Sequence, residues 1–285
     1  MTQYIALIGY PLGHSVSPIF QQAALDRRHM DMKYLAWEVV PEGLAGALER
    51  LRQPENLGAN VTIPYKEKVL PFLDRLEGQA RDIGAVNTIA KDKGALVGYN
   101  TDGQGFLQAL REEGGLEPRG YEVVLLGAGG AARALAFSLL KAKVRSLTIY
   151  NRGLEGAQKL AGDLEKVLAR GQVVRALPWD DRLSGLPPCQ LVVQATPLGT
   201  RGDSASPLPA RLIPRGVLAY DLVYNPPETP FLKEARKAGA RALGGLPMLV
   251  YQGASSFKLW TGQDAPLEVM LQAAEKALKS SKGKG

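Results

Sequence analysis

The chain is 285 residues long, with 45% hydrophobic and 22% charged residues, a balance that excludes disorder as the main state. Its one cysteine, Cys189, cannot form an intrachain disulfide, and with only His14 and His29 beside it a Cys/His zinc cage is excluded. Of the net charge of +7, four lysines lie in residues 276–285, a tail read as solvated, and no basic helix or stacking-aromatic motif points to nucleic acid.

Residues 4–8 read as a buried strand, without the basic leader of a signal peptide. A helix is predicted over 17–28, with Ser17 as N-cap and Pro18 at its first position. A strand at 34–40, a helical stretch at 42–52 and a short strand at 58–64 follow. Helices are predicted near 66–73 and 78–83, and strands at 88–91 and 95–99. The longest apolar stretch, residues 121–140, carries Glu122 and Arg133 and is broken by three glycines, so it is not a membrane span. A cytoplasmic protein is expected.

A second unit begins near Gly103. Helix 105–113, strand 122–126, helix 130–140, strand 146–150 and helix 155–168 come in turn, then strands 172–176, 191–194 and 216–221. Such alternation implies an α/β fold with a parallel sheet covered on both faces. Two helical stretches, 247–261 and 266–279, end the chain.

Gly127-Ala128-Gly129-Gly130-Ala131-Ala132 follows a hydrophobic strand and opens a helix. The first glycine permits a tight turn, the second lets the backbone approach a pyrophosphate, and Ala132 allows close helix–sheet packing. The alternative is a purely structural glycine turn. An NAD site usually carries Asp or Glu at the end of the next strand, whereas this chain has Asn151-Arg152. Arginine offers a charged planar fork to a 2′-phosphate, so the reading is NADP, with a surface arginine as the plain alternative.

Four polar clusters stand in the first domain: Gly13-His14-Ser15-Val16-Ser17-Pro18, Asn60-Val61-Thr62-Ile63-Pro64-Tyr65-Lys66, Gly84-Ala85-Val86-Asn87-Thr88 and Asn100-Thr101-Asp102-Gly103. Alone, each has a bland reading: Ser17 as a cap, Asn100 and Asp102 as turn formers, Lys66 as a solvated lysine. Together with the glycine loop, Asn151-Arg152, Asp221-Leu222-Val223-Tyr224-Asn225-Pro226 and Gly245-Leu246-Pro247-Met248-Leu249-Val250-Tyr251-Gln252, they closely resemble the shikimate dehydrogenase family. The match runs from residue 8 to about residue 257.

The resemblance implies two α/β domains. Residues 1–104, completed by 247–285, would bind substrate, and residues 105–246 would form an inserted Rossmann-type NADP-binding domain. It implies reversible reduction of 3-dehydroshikimate to shikimate in aromatic amino-acid biosynthesis. Ser15 and Ser17 would hold the substrate carboxylate with help from Tyr224, while Asn60, Thr62, Asn87 and Gln252 bind ring hydroxyls. Lys66 and Asp102 would lie against the reacting oxygen, and either could carry the transferred proton. Gly127, Ala128, Gly129, Gly130 and Ala131 would cradle the pyrophosphate, with Asn151 and Arg152 at the adenosine phosphate. Thr196, Leu222 and Gly245 would line the nicotinamide side. The family often has a second basic residue where this chain has Gly156, which puts strict NADP preference in question. An NAD-using quinate/shikimate dehydrogenase is the alternative. Monomer and homodimer are both compatible with the sequence.

Overall fold

The computed structural model describes residues 2–179, 185–200 and 203–281. The chain divides into two compact units, Met1–Gly105 with Leu249–Gly285, and Phe106–Met248.

The first unit opens on β1 (Gln3–Gly9), buried from Ile5 onward as a central parallel strand must be. Helix α1 (Ser17–Arg27), β2 (Met32–Glu38), α2 (Leu44–Leu51) and β3 (Asn56–Val61) follow, and β1 pairs in parallel with both β2 and β3. Then come β4 (Arg75–Leu76), α3 (Ala80–Ile83), β5 (Thr88–Asp92) and β6 (Ala95–Tyr99). The sheet order is β2-β1-β3-β5-β6-β4, with β5 antiparallel to both of its neighbours. Ile8, Leu48, Leu51, Val61, Tyr65 and Ile89 belong to one buried cluster. The sheet is therefore mixed, and its antiparallel turn brings the end of β3, the start of β5 and the end of β6 to one place.

Helix α4 (Asp102–Glu112) leads into the second unit. There β7 (Glu122–Leu126), α5 (Gly130–Lys141), β8 (Ser146–Asn151), α6 (Leu154–Leu164) and β9 (Val173–Pro178) form one half. The other half has β10 (Leu191–Gln194), β11 (Leu218–Asp221), α7 (Pro230–Lys237) and β12 (Arg241–Leu243). All the pairings are parallel, in the order β12-β11-β10-β7-β8-β9. Counted along this unit the order is 6-5-4-1-2-3, the doubly wound arrangement that binds dinucleotides where the order reverses, between β7 and β10. Helix α8 (Leu246–Thr261) returns the chain to the first unit, where α9 (Leu267–Ser281) packs on α1.

Several predicted elements change. Residues 66–73 form turns that end in a 3-10 turn at Leu70–Phe72, since Pro71 has no N–H to give an α-helix. The helix predicted over 155–168 stops at Leu164 and tightens into a 3-10 turn at Glu165–Val167. The strand predicted at 34–40 lies two residues earlier, and β4, α7 and β12 have no counterpart among the predicted elements.

Candidate active site

The register sets Asn60 opposite Thr88, and Thr88 opposite Tyr99. Asn60, Asn87, Thr101 and Asp102 therefore converge, all of them buried. Asn87 Nδ2 lies 2.8 Å from Asp102 Oδ1, 2.9 Å from Thr101 Oγ1 and 3.0 Å from Gln252 Oε1. Asn87 Oδ1 accepts the Thr101 N–H at 2.8 Å, so both ends of the carboxamide are fixed. Asp102 opens α4, and its own N–H is taken by Asn100 Oδ1 at 3.1 Å.

Lys66 comes to the same point from the turn after β3. Its carbonyl accepts the Val86 N–H at 2.7 Å, and its Nζ lies 2.5 Å from Asp102 Oδ2. The lysine side chain is 18% exposed and that of Asp102 6%, so the pair keeps a narrow opening to a ligand. Each Asp102 oxygen accepts from a different donor. Lys66 retains further N–H bonds that this pair does not use.

Residues that sequence reasoning passed over build the floor of this site. Tyr34 donates its hydroxyl to Asn60 Oδ1 at 2.8 Å, and burial pushes the Tyr34 phenol well above its ordinary range. Asn60 Nδ2 points to the Asn87 carbonyl, Thr88 Oγ1 and Ser256 Oγ at 3.0–3.2 Å. Thr88 and Ser256 share a 2.7 Å hydroxyl contact. Gln252 is held in turn by its Nε2, which donates to the Leu249 carbonyl at 2.7 Å. Thr62 stands apart: it is half-buried, its backbone N–H goes to Ile8, and among the described residues no hydrogen bond joins its side chain to the Asn87 network.

The serine pair sits at the start of α1, and here the predicted cap is corrected. Val16 occupies the N-cap position, Ser17 is the first helical residue, and no side chain caps the helix. Instead the Ser17 N–H donates to Ser15 Oγ at 3.3 Å. Pro18 has no N–H and that of Ile19 goes to the Val16 carbonyl, so the helix start has its amides committed. The hydroxyls of Ser15 and Ser17 remain as the donors this loop can turn to an anion. His14 is exposed beside them.

In the second unit the loop after β7 has the shape of a phosphate cradle. Gly127 takes φ +110°, and a Cβ there would lie 3.0 Å from Thr196 Cγ2 and 3.1 Å from the Ala195 carbonyl. Gly129 is the N-cap of α5 with open space where a Cβ would stand, and α5 has neither a side-chain cap nor an acidic residue in its first turn. Gly130 and Ala131 form that turn, with Ala128 just before it. Uncapped helix amides and a first turn free of acidic residues suit a pyrophosphate, so the residues present fit a dinucleotide. Arg133, one turn into α5, is engaged with Asp163 at 2.8 Å.

At the end of β8, Asn151 Nδ2 donates to the Gly153 carbonyl at 2.8 Å. Arg152 is exposed and, among the described residues, carries no ion pair. A Cβ on Gly156 would come within 3.0 Å of Asn151 Nδ2, so the bare glycine leaves room for that amide. On the β10 side, buried Gln194 grips the loop that carries Thr196, accepting its N–H at 2.6 Å and donating to the carbonyls of Thr196 and Leu198 at 3.0 Å. Leu222 and Gly245 touch so closely that a Cβ on Gly245 would collide with the Leu222 carbonyl. Tyr224 follows on the same loop, half-buried. Asp221 supports that loop: Oδ1 accepts the Val223 N–H at 2.9 Å and Oδ2 the Thr229 hydroxyl at 2.6 Å. Its burial pushes the carboxyl up to about 6. Arg152, Thr196, Leu222 and Gly245 are thus set at the carboxyl ends of the strands around the switch point, while Ser15, Ser17, Asn60, Asn87, Lys66, Asp102 and Gln252 belong to the first unit.

Known families match along the chain: residues 7–89 a family described as "Shikimate dehydrogenase substrate binding domain", residues 111–196 "Shikimate / quinate 5-dehydrogenase", and residues 245–275 "Shikimate 5'-dehydrogenase C-terminal domain". A protein of Moorella thermoacetica named "Shikimate dehydrogenase (NADP(+))" is 45% identical over 99% of this chain and 96% of its own length. One of the same name from Methanopyrus kandleri is 44% identical over 98% of this chain and 97% of its own. Among solved structures, shikimate 5-dehydrogenase from Thermus thermophilus, in complex with NADP(H) and shikimate, superposes with a TM-score of 0.87 at 40% identity. That likeness covers 97% of this chain and all of the other.

Proposed function

The chain belongs to the shikimate dehydrogenase family, and from that membership and its own site we infer that it interconverts 3-dehydroshikimate and shikimate with NADP, a step of aromatic amino-acid biosynthesis. The observation that carries the reading is the Lys66–Asp102 contact of 2.5 Å, set beside the Asn87 and Gln252 carboxamides. An alcohol/ketone exchange needs one proton donor or acceptor at the oxygen while hydride moves at carbon. Bound NADP supplies the hydride acceptor in oxidation, and NADPH the donor in reduction.

We assign the proton to Lys66. Both Asp102 oxygens already accept hydrogen bonds, from Lys66 and from Asn87, so the carboxylate orients and the amine exchanges the proton. Ser15 and Ser17 present hydroxyls to the substrate carboxylate, which Tyr224 also contacts in this reading. Asn60, Thr62, Asn87 and Gln252 hold the ring hydroxyls, and the buried network under Asn60 and Asn87 fixes their carboxamides. Gly127 to Ala131 hold the pyrophosphate, Asn151 and Arg152 the 2′-phosphate, and Thr196, Leu222 and Gly245 the nicotinamide side. The end of β8 has no carboxylate to grip a free ribose 2′-hydroxyl, and Arg152 is free to meet a phosphate, which supports NADP over NAD.

Among the described residues no helix is long and apolar enough to cross a membrane. We place the protein in the cytoplasm on its cysteine usage, as a monomer or homodimer. The test is nicotinamide absorbance with shikimate or quinate, each paired with NADP or NAD. Turnover of shikimate with NADP is expected to be the fastest of the four. Turnover of neither acid with either cofactor would overturn the assignment.

A further inference from the structure

The loop of residues 10–16 has to present two serine hydroxyls at a fixed spacing, yet it is bound to the sheet by few hydrogen bonds. At its base the Tyr10 N–H goes to the Ile63 carbonyl at 3.0 Å. Further along, Glu38, the last residue of β2, reaches back 26 residues, and its Oε2 accepts the Leu12 N–H at 2.7 Å. Among the described residues this is the one hydrogen bond by which a side chain of the sheet holds this loop. From Leu12 the bonding continues without a break: its carbonyl accepts the Ser15 N–H at 2.8 Å, and Ser15 Oγ accepts the Ser17 N–H at 3.3 Å.

We propose that Glu38 is a positioning residue for substrate binding: by anchoring Leu12 it sets the turn that places the Ser15 and Ser17 hydroxyls. The proposal rests on the reading of those two serines as the carboxylate-binding pair. A carboxylate accepting a backbone N–H makes a charge-assisted bond, stronger than a neutral one. Glu38 is itself exposed, so solvent tempers that strength and the effect should be moderate. The competing account is that the buried side chains of Leu12 and Val16 pin the loop by packing, and the carboxylate is idle. The two accounts differ in what Glu38→Ala and Glu38→Gln do. Glutamine keeps an acceptor oxygen at the same reach, and alanine does not.

The test measures steady-state kinetics and amide hydrogen exchange for the unaltered chain, Glu38→Ala and Glu38→Gln. Glu38→Ala should raise KM for shikimate about tenfold, the low end for a bond to a charged acceptor, with kcat and KM for NADP within about twofold. Exchange at the amides of Leu12, Ser15 and Ser17 in the free protein should quicken by a similar factor. Glu38→Gln should recover most of both. Unchanged KM and exchange in Glu38→Ala would overturn the proposal in favour of packing. A Glu38→Gln variant as impaired as Glu38→Ala would overturn it too, because the acceptor alone would then not suffice. Failure of the unaltered chain to turn over shikimate would overturn the functional reading instead, and exchange would still decide whether Glu38 anchors the loop.

Discussion

Lys66 Nζ lies 2.5 Å from one oxygen of Asp102, and the Asn87 carboxamide takes the other at 2.8 Å. Each carboxylate oxygen thus accepts one hydrogen bond, and the contact holds the lysine amine in place. Lys66→Ala should therefore lower kcat by ~10²–10⁴-fold, the range of a positioned acid–base group, with KM for shikimate changed much less. A variant that keeps half its kcat would remove Lys66 from the chemistry.

Because Val16 and not Ser17 is the N-cap, Ser17 has no helix to stabilise by capping. Ser15→Ala and Ser17→Ala should each weaken shikimate binding by ~10–150-fold, the equivalent of one hydrogen bond to a charged group. Thermal unfolding of Ser17→Ala should shift little. A large loss of melting temperature with unchanged KM would return Ser17 to a structural role.

Position 156, four residues beyond Arg152, is glycine and supplies no second basic side chain there. The unaltered chain should favour NADP over NAD by roughly 10–150-fold in kcat/KM, and Arg152→Ala should erase most of that by weakening NADP alone. Gly156→Ala should also reduce the preference, because its Cβ would press on an Asn151 amide only 3.0 Å away. Parallel titrations of both cofactors with the three proteins decide this. Equal use of NAD by the unaltered chain would show that one arginine is too little.

Asp221 gives a pH signature. Its carboxyl, normally near 3.8, is raised to about 6 by burial in the fold. The folded state thus holds this proton more tightly than the unfolded chain does. The resulting stability is fully present below pH 3.8 and lost as pH rises through about 6. At neutral pH the buried charge costs on the order of 2–3 kcal/mol. Asp221→Asn keeps an acceptor for Val223 but gives up the one for the Thr229 hydroxyl; freed of the buried charge, it should gain most in melting temperature relative to the unaltered chain at pH 8. The difference should shrink towards pH 4. A melting difference independent of pH would mean that Asp221 is not the group responsible.

The dinucleotide half was legible because its signals are local: a hydrophobic strand, a glycine turn and a helix, with β7 and β10 read to the residue. Short elements were not, since two or three residues of β4 or β12 carry no periodicity. Helix α7 does carry a local signal, Thr229 as N-cap with Pro230 behind it, but only eight residues of helix follow. Site residues in motif order could be named from the family resemblance. Tyr34, Ser256 and Glu38 could not, because their partners lie 26 to 196 residues away and only tertiary structure joins them. Asp221 was visible as a letter in a motif, but its burial and its grip on Thr229 were not.

The hydroxyls of Thr88, Thr101 and Ser256 lie within 2.7–3.4 Å of one another, and in each pair either oxygen can be the donor. Such a run can reverse its polarity by rotating hydrogens alone, with every heavy atom at rest. It borders two carboxamides, Asn60 and Asn87, whose own oxygens and nitrogens are held by fixed partners. The protons beneath the two amides can therefore rearrange while the amides themselves stay in place. The floor of the site is thus fixed in its heavy atoms and adjustable in its hydrogens.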